Sequence, residues 1–281
     1  MDLGLENKVA LVAGGSSGLG LATARELARE GAHVAIGARD PDRLAVAERS
    51  VNEVARGRVR ATSVDITDRG AVRRWVDDAA ADLGGLQIVV VSGGSPPFGF
   101  ASQFGLGEYE SAVGQVLFPA VGLALAALPH LRAARWGRLI FVASETASAP
   151  VAPLALSGVT RAALVRFAQG LAAEVGRDGI TVNVLAPGGA RTPPMERAAV
   201  RLANGGDVEV QLRAMGHHNA LGRLAEPDEV AAVATFLASE RASFVTGAVH
   251  LIDGGASVMG ADVPHLPAAA RSDNEGSPSI R

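Results

Sequence analysis

The sequence predicts an α/β fold: a doubly wound parallel sheet of about seven strands, with helices on both faces, in a single domain. Three observations lead to this prediction. Short apolar runs alternate with longer helical patterns along most of the 281 residues. Most of the short runs are nearly continuously apolar, as in parallel strands that are covered on both faces. No linker and no internal repeat divides the chain.

The predicted elements follow one another in a regular order. The strand candidates are residues 8–14, 33–38, 58–64, 87–93, 138–144, 180–186 and 248–253. The helical patterns lie near residues 18–30, 41–56, 68–83, 107–134, 154–175 and 226–238. Each helix is expected to cross over to the next parallel strand in a right-handed sense.

Two segments interrupt this alternation. Residues 189–222 combine proline, glycine, paired histidines and mixed charge, and a long excursion of this kind is often a lid over a site. Residues 261–281 are rich in proline, serine, alanine and charge, which predicts a disordered tail. We therefore predict one domain over residues 1–260, with residues 189–222 as a substrate lid.

Composition excludes several classes of function. The net charge of −3 provides no basic field for nucleic acid or an anionic membrane. The absence of cysteine excludes disulfides and thiolate nucleophiles, and the adjacent His217 and His218 do not have metal-pair spacing, so no metal site is predicted. The N-terminus lacks a secretory pattern, and the longest apolar stretch, residues 116–129, is too short for a bilayer. We expect a cytoplasmic protein.

A glycine-rich turn follows the first predicted strand. Gly14, Gly18 and Gly20 lie between that strand and a helix. Glycine lets backbone amides approach a pyrophosphate closely, and the N-terminus of the following helix adds its positive dipole end. In this context the three glycines predict a Rossmann-type dinucleotide site.

The spacing G-x-x-x-G-x-G resembles that of the short-chain dehydrogenase/reductase (SDR) family. The stretches "VDITD" (64–68), "ITVNVLAPGGART" (180–192) and the segment 222–255 are also similar to motifs of that family, and the resemblance covers roughly residues 5–257. It implies an oxidoreductase with a nicotinamide cofactor. The cofactor contacts that it implies are Gly14, Ser16, Ser17, Gly18, Leu19, Gly20, Asp65, Ile66, Gly93, Arg161, Pro187, Gly188 and Thr192.

The residues after the second predicted strand indicate the type of cofactor. An acidic residue there would bind ribose hydroxyls and repel a 2′-phosphate. This chain has Ala38 at that position and Arg39 next to it. A guanidinium suits a phosphate, so we predict NADP(H) rather than NAD(H).

The resemblance also implies a catalytic serine, tyrosine, lysine and asparagine, of which only the serine is present. Ser144 matches the serine, Ser157 occupies the tyrosine position, Arg161 the lysine position and Val116 the asparagine position. The single tyrosine, Tyr109, lies elsewhere. A serine hydroxyl is a far weaker acid than a phenol, and arginine remains protonated. The expected catalytic residues are Ser144, Ser157, Arg161 and Glu145. The missing proton could come from water held by Ser144, Ser157 and Arg161, or from the Glu145 carboxyl if burial raised its pKa.

Three hypotheses about function remain open. The first is an NADP(H)-dependent oxidoreductase with altered proton delivery, acting on a carbonyl, imine or enone. The second is a redox-neutral catalyst on the same scaffold (an isomerase, dehydratase or cyclase) with Ser144, Glu145, Arg161 or a lid histidine as acid or base. The third is a catalytically silent dinucleotide-binding or regulatory subunit. Fold-level similarity does not by itself choose among them.

Apolar residues near the predicted site suggest a fairly large, partly apolar small-molecule substrate. The residues concerned are Phe98, Phe100, Phe104, Met195 and Met215. Two helices, residues 113–134 and 159–175, are rich in alanine and leucine and are expected to bury apolar faces against another subunit. We expect a homodimer or homotetramer.

Overall fold

The computed structural model describes residues 2–259 and confirms the predicted fold class. Seven parallel strands form one sheet in the order β3-β2-β1-β4-β5-β6-β7. The strands are β1 (Val9–Ala13), β2 (His33–Ala38), β3 (Val59–Ser63), β4 (Ile88–Val91), β5 (Gly137–Val142), β6 (Ile180–Pro187) and β7 (Val249–Ile252). The tail predicted over residues 261–281 lies outside the described residues.

Nine α-helices are present among the described residues. They are α1 (Gly18–Arg29), α2 (Pro41–Asn52), α3 (Arg69–Leu83), α4 (Leu106–Ala112), α5 (Phe118–Ala134), α6 (Ala155–Val175), α7 (Pro193–Ala203), α8 (Val208–Gly216) and α9 (Pro227–Ala238). Helices α2 and α3 each begin at an aspartate, Asp40 and Asp68, whose carboxylate accepts hydrogen bonds from two backbone N–H groups of the first turn.

Neighbouring residues along each central strand point into two different cores. In β1, Leu11 packs with α3, α5 and α6 on one face, whereas Ala10 and Val12 pack with α1, α2 and α9 on the other. In β5, Phe141 packs in the same core as Leu11, and Ile140 packs in the other core. This two-sided burial explains why the strands are continuously apolar. Each fully buried large side chain contributes about 1.5–3 kcal/mol of hydrophobic stabilisation.

The helix predicted over residues 107–134 contains a π-helical turn at Val113–Leu117, where α4 meets α5. Pro119 cannot donate a hydrogen bond to the carbonyl of Gln115, which disturbs the α-helical ladder at this point. The whole segment Leu106–Ala134 is long and apolar enough to cross a membrane by length and composition alone. Leu123 and Leu131 are nevertheless fully buried against the sheet, as expected for a core helix.

The segment at residues 189–222, which was predicted as a lid, is largely helical. It contains α7 and α8, which share a small core built on Ala199, Leu212 and Leu224, with Met195 and Met215 packed against it. Arg191 joins the two helices through ion pairs with Glu196 and Glu209. The mixed charge of this segment therefore serves to hold it together, and its role as a lid stays a prediction.

Candidate active site

A cleft of about 650 Å³ opens at the carboxyl ends of the strands. Strand order reverses between β1 and β4, and open α/β sheets bind ligands in the crevice at such a point. Every residue predicted for the site lines this cleft except Gly20. The lining residues that were predicted are Gly14, Ser16, Ser17, Gly18, Leu19, Arg39, Asp65, Ile66, Gly93, Ser144, Glu145, Ser157, Arg161, Pro187, Gly188 and Thr192.

The turn after β1 depends on glycine at two positions. Gly14 has a φ of +71°, and a Cβ there would lie 2.0 Å from the carbonyl oxygen of Ser92. A Cβ on Gly20 would lie 2.3 Å from the carbonyl oxygen of Gly14. Gly20 therefore does not form the wall of the cleft, as the resemblance implied, but allows α1 to pack against the turn that does.

The N-terminus of α1 points backbone donors toward the cleft. Within the described part of the chain, the side chain of the N-cap residue Ser17 makes no capping hydrogen bond. The first N–H groups of a helix have no partner in the helix itself. Together with the helix dipole, these amides fit an anion such as a phosphate.

Two arginines, Arg39 and Arg43, line the end of the cleft beyond β2, which we call its far end. The sequence analysis identified only Arg39. Arg43, in the first turn of α2, pairs with Asp40 at 3.3 Å. No motif in the sequence identified Arg43, because Arg39 precedes α2 and the two residues do not share a helix. On the adjacent wall, hydrogen bonds from Thr67 hold the pKa of Asp65 below its usual value. This end therefore presents guanidinium groups beside an ionised carboxylate.

We call the part of the cleft lined by Ser144, Glu145, Ser157 and Arg161 its reaction end. Thr146, which the sequence analysis did not identify, contacts both serines there. Ser144 caps a short 3₁₀ turn after β5, and its Oγ accepts a hydrogen bond from the Thr146 backbone N–H at 3.3 Å. The Thr146 Oγ1 lies 3.1 Å from the Oγ of Ser157 on α6. Thr146 is 4% exposed, whereas both serines are partly exposed to the cleft. No motif in the sequence identified this contact.

Arg161 is a buried cation beside these serines. It is 7% exposed, and its guanidinium donates to the carbonyl oxygens of Val142 (3.2 Å), Gly93 (2.9 Å) and Gly94 (2.6 Å). Among residues 2–259, its Nε has no hydrogen-bond partner. Burial lowers the pKa of Arg161 to about 10, so the group remains protonated at neutral pH.

Glu145 lies next to Ser144 and is partly buried. Burial raises the pKa of its carboxyl above the usual value, and the nearby carboxylate of Asp253 adds to this rise. The Glu145 Oε2 and the Asp253 Cβ would each lie 3.0 Å from a Cβ built on Gly188. Gly188 therefore allows the end of β7 to approach Glu145, and a proton is held on that carboxyl more readily than on an exposed glutamate.

The substrate end of the cleft is only partly as predicted. Phe98 and Met195 line it, but Phe100, Phe104 and Met215 do not. Phe104 instead packs edge-to-face against Tyr109, with ring centroids 6.4 Å apart, and Met215 packs in the small core of α7 and α8. Val116, at the asparagine position, is buried and does not line the cleft.

The lid histidines considered for the redox-neutral hypothesis also lie away from the cleft. His217 and His218 are exposed at the end of α8 and are not among the lining residues. The described residues contain no cluster of three or more histidine, aspartate or glutamate side chains that could hold a metal ion. The candidate acids and bases of the cleft are therefore carboxyl and hydroxyl groups.

Comparisons with known proteins agree with this architecture. A family model described as "Enoyl-(Acyl carrier protein) reductase" matches residues 13–257. The chain is 34% identical to cis-4-hydroxycyclohexanecarboxylate dehydrogenase of Sinomonas cyclohexanicum, covering 88% of this chain and 96% of that one. It is 30% identical to meso-2,3-butanediol dehydrogenase of Serratia marcescens, covering 90% and 95%.

A solved structure adds a three-dimensional match. L-sorbose reductase from Gluconobacter frateurii, solved in complex with NADPH and L-sorbose, superposes with a TM-score of 0.87. The two chains are 36% identical, and the match covers 91% of this chain and 98% of the other. The chain therefore belongs to the short-chain dehydrogenase/reductase family of oxidoreductases.

Proposed function

We propose that the protein is an NADP(H)-dependent oxidoreductase with a non-standard means of proton delivery. Its substrate would be a carbonyl compound, imine or enone, or the reduced form of one, in a fairly large, partly apolar small molecule. The observation that carries the proposal is that one continuous cleft joins the glycine turn and Arg39 to Ser144, Glu145, Ser157 and Arg161. When bound, the nicotinamide supplies or accepts the hydride, so the chain itself must handle the proton.

The cofactor-binding part of the proposal rests on fit. The turn at Gly14 leaves no room for a side chain, and the N-terminus of α1 suits the pyrophosphate. Arg39 and Arg43 suit a 2′-phosphate, since a guanidinium can bind phosphate oxygens in pairs. Asp65 and Ile66 would flank the adenine. Gly93, Arg161, Pro187, Gly188 and Thr192 would surround the nicotinamide half.

Proton delivery is the feature that we propose to be unusual. Ser157 cannot replace a tyrosine as an acid, because an alcohol loses its proton far less readily than a phenol. Glu145 lies in the same cleft, and burial raises its pKa so that its protonated form persists to higher pH. Glu145 would protonate the substrate oxygen during reduction and accept the proton during oxidation.

The hydroxyl groups and Arg161 would stabilise the reacting oxygen. Ser144 and Ser157 can each donate a hydrogen bond to an oxygen on which negative charge develops. Arg161 adds a positive charge without a carboxylate partner among the described residues, and its hydrogen bonds fix the peptides at Gly93 and Gly94. Preorganised donors and charges of this kind commonly contribute the largest part of catalysis.

The test uses probes taken from the relatives. NADPH and NADH are titrated by fluorescence. The loss of NADPH absorbance is then followed with L-sorbose. The formation of NADPH from NADP⁺ is followed with cis-4-hydroxycyclohexanecarboxylate and with meso-2,3-butanediol. Tight NADPH binding with turnover of a probe supports the proposal. Conversion of a probe without a change in NADPH absorbance would favour the redox-neutral hypothesis, and failure to bind either dinucleotide would contradict cofactor dependence.

We also propose that the protein self-associates and that residues 189–222 cover the bound substrate. Phe118, Leu125 and Val159 on α5 and α6 are each at least 50% exposed in the single chain, which leaves an apolar surface for a partner. Light scattering at micromolar concentration should give the mass of a dimer or tetramer. A monomer at that concentration would contradict the prediction.

A further inference from the structure

Thr146 contacts the two serines of the reaction end through two different groups. Its backbone N–H donates to Ser144 Oγ, and its hydroxyl oxygen lies 3.1 Å from Ser157 Oγ. Thr146 itself is almost completely buried and does not line the cleft, whereas both serines do. A single residue behind the cleft wall therefore holds both hydroxyl groups of the wall.

The burial of Thr146 determines which hydroxyl is the donor in its hydrogen bond with Ser157. A buried hydroxyl must donate its hydrogen to an acceptor, and the acceptor that the described residues offer Thr146 is Ser157 Oγ. If Ser157 were the donor, the hydrogen of Thr146 would be left without a partner. Ser157 has an alternative, because its hydroxyl is partly exposed and its hydrogen can turn into the cleft. Thr146 is therefore the donor and Ser157 the acceptor.

The same reasoning applies to Ser144. Its Oγ accepts the hydrogen bond from the Thr146 N–H, so its own hydrogen is also free to turn toward the cleft. Both serines then present hydrogen-bond donors to a ligand. A pair of donors is suited to an oxygen that accepts hydrogen bonds and gains negative charge, such as that of a ketone or aldehyde.

We propose that Thr146 is a positioning residue that fixes Ser144 and Ser157 as two donors to one carbonyl oxygen of the substrate. The inference rests on the proposed oxidoreductase function and adds a residue that positions its two hydroxyl donors. In reduction, bound NADPH would supply the hydride for the substrate carbon, and the Glu145 carboxyl would supply the proton for the substrate oxygen. Both serines keep their hydrogens, and no bond forms or breaks at Thr146.

The test compares Thr146→Val with Thr146→Ser. Valine has nearly the shape of threonine but lacks the hydroxyl, whereas serine keeps it. Neither change removes the backbone N–H, so the hydrogen bond to Ser144 stays in both variants. Thr146→Val removes the contact with Ser157, whereas Thr146→Ser removes only the methyl group. Loss of one neutral hydrogen bond predicts a fall in kcat of about fivefold to tenfold for Thr146→Val, with little change in KM or in NADPH affinity. Thr146→Ser should restore most of the rate.

A double-mutant cycle separates positioning from a merely structural role. Thr146→Val should have little further effect in a Ser157→Ala background, because the group that it positions is gone, but should keep its full effect in a Ser144→Ala background. Equal effects of Thr146→Val in both backgrounds would overturn the proposal.

Crystal structures of the wild type and both variants provide a readout that needs no turnover. In Thr146→Val, the Ser157 hydroxyl should leave its wild-type position and turn toward the backbone of its own helix. In Thr146→Ser it should stay. An unchanged Ser157 in Thr146→Val would overturn the positioning role even if no probe is turned over, whereas lack of turnover by the wild type with a displaced Ser157 would count against the proposed function alone.

Discussion

The two ends of the cleft are built in different ways. At the end where we propose that the dinucleotide binds, the wall begins with backbone groups, the turn at Gly14 and the first amides of α1, with Arg39, Arg43 and Asp65 beyond them. At the reaction end the wall is formed by side chains: Ser144, Ser157 and Arg161. The first end keeps the residues that the SDR resemblance implies, and the second differs from them at the tyrosine, lysine and asparagine positions.

The physical constraint on each end explains this contrast. A residue other than glycine at position 14 would collide with the backbone of Ser92, so the turn cannot change without moving β4. Ser157 and Arg161, by contrast, project from α6, whose packing depends on Leu156, Leu164 and Ala168. Their side chains can be replaced while the helix stays in place. Chemistry can therefore change at one end of the cleft while the other end stays fixed.

The largest effect is expected from Gly14→Ala. The Cβ would meet the Ser92 carbonyl oxygen, and alanine would have to adopt a φ of +71°. Strain and overpacking together should reduce the free energy of unfolding by about 2–5 kcal/mol and abolish NADPH binding. Urea denaturation and fluorescence titration measure the two effects.

Gly170→Ala is the matched control for this change. Gly170 lies in α6 with no atom within 4 Å of a built Cβ, so alanine should stabilise the helix by roughly 0.5–1 kcal/mol. Equal stability of the two variants would show that the glycine turn is not constrained as described.

The second prediction concerns Glu145→Gln. Loss of a general acid should lower turnover by about 10²–10⁴-fold. In the wild type, the rate of reduction should fall as pH rises through the raised pKa of Glu145, because the protonated carboxyl is the active form. In Glu145→Gln, this fall in rate with rising pH should be absent. If Glu145→Gln keeps both the rate and the pH profile of the wild type, Glu145 is not the proton donor.

The same variant should be more stable at neutral pH, although it is less active. Because the folded state raises the Glu145 pKa above its usual value of 4.5, the wild type loses stability as pH rises from that value through the raised pKa. Glutamine removes this loss. The difference in free energy of unfolding should therefore favour the variant increasingly as pH rises above 4.5, and should level off once pH has passed the raised pKa. A difference that does not vary with pH would contradict the raised pKa.

Arg161→Met is expected to have a smaller but still substantial effect. Removal of the guanidinium deprives the carbonyls of Val142, Gly93 and Gly94 of their donor and takes a positive charge from the site. Stability should fall by about 1–3 kcal/mol and turnover by about 100-fold. Arg161→Lys keeps the charge and should retain more of the rate.

The exposed Arg166 on the same helix provides the control for this variant. Arg166→Met should change stability by less than about 0.5 kcal/mol. A similarly small change for Arg161→Met would mean that the buried guanidinium does not organise the reaction end.

The smallest effect is expected at the far end of the cleft. Arg39→Ala should weaken NADPH binding by about 10- to 100-fold and leave NADH binding almost unchanged, since only NADPH carries the 2′-phosphate. Arg49→Ala, on the same helix as Arg43 but not in the cleft wall, should change neither affinity. Equal losses for NADPH and NADH in Arg39→Ala would contradict the assigned phosphate contact.

The sequence by itself determined the sheet, the glycine turn and the positions of Ser144, Ser157 and Arg161. Continuous apolar strands and glycine spacing are local consequences of two-sided burial and of backbone geometry, so they can be recognised along the chain. The SDR resemblance also predicts that the usual proton donor is absent, because serine stands at position 157, and this stays a prediction.

Only the tertiary structure decided how the groups at the reaction end meet. Thr146 and Ser157 are eleven residues apart, and Arg161 reaches carbonyls 67 and 68 residues earlier in the chain. The Asp253 carboxylate, which helps to raise the Glu145 pKa, belongs to the residue that follows β7. Contacts of this kind depend on how strands and helices pack, and burial sets both the pKa values and the hydrogen-bond directions. No periodicity or motif along the chain encodes them.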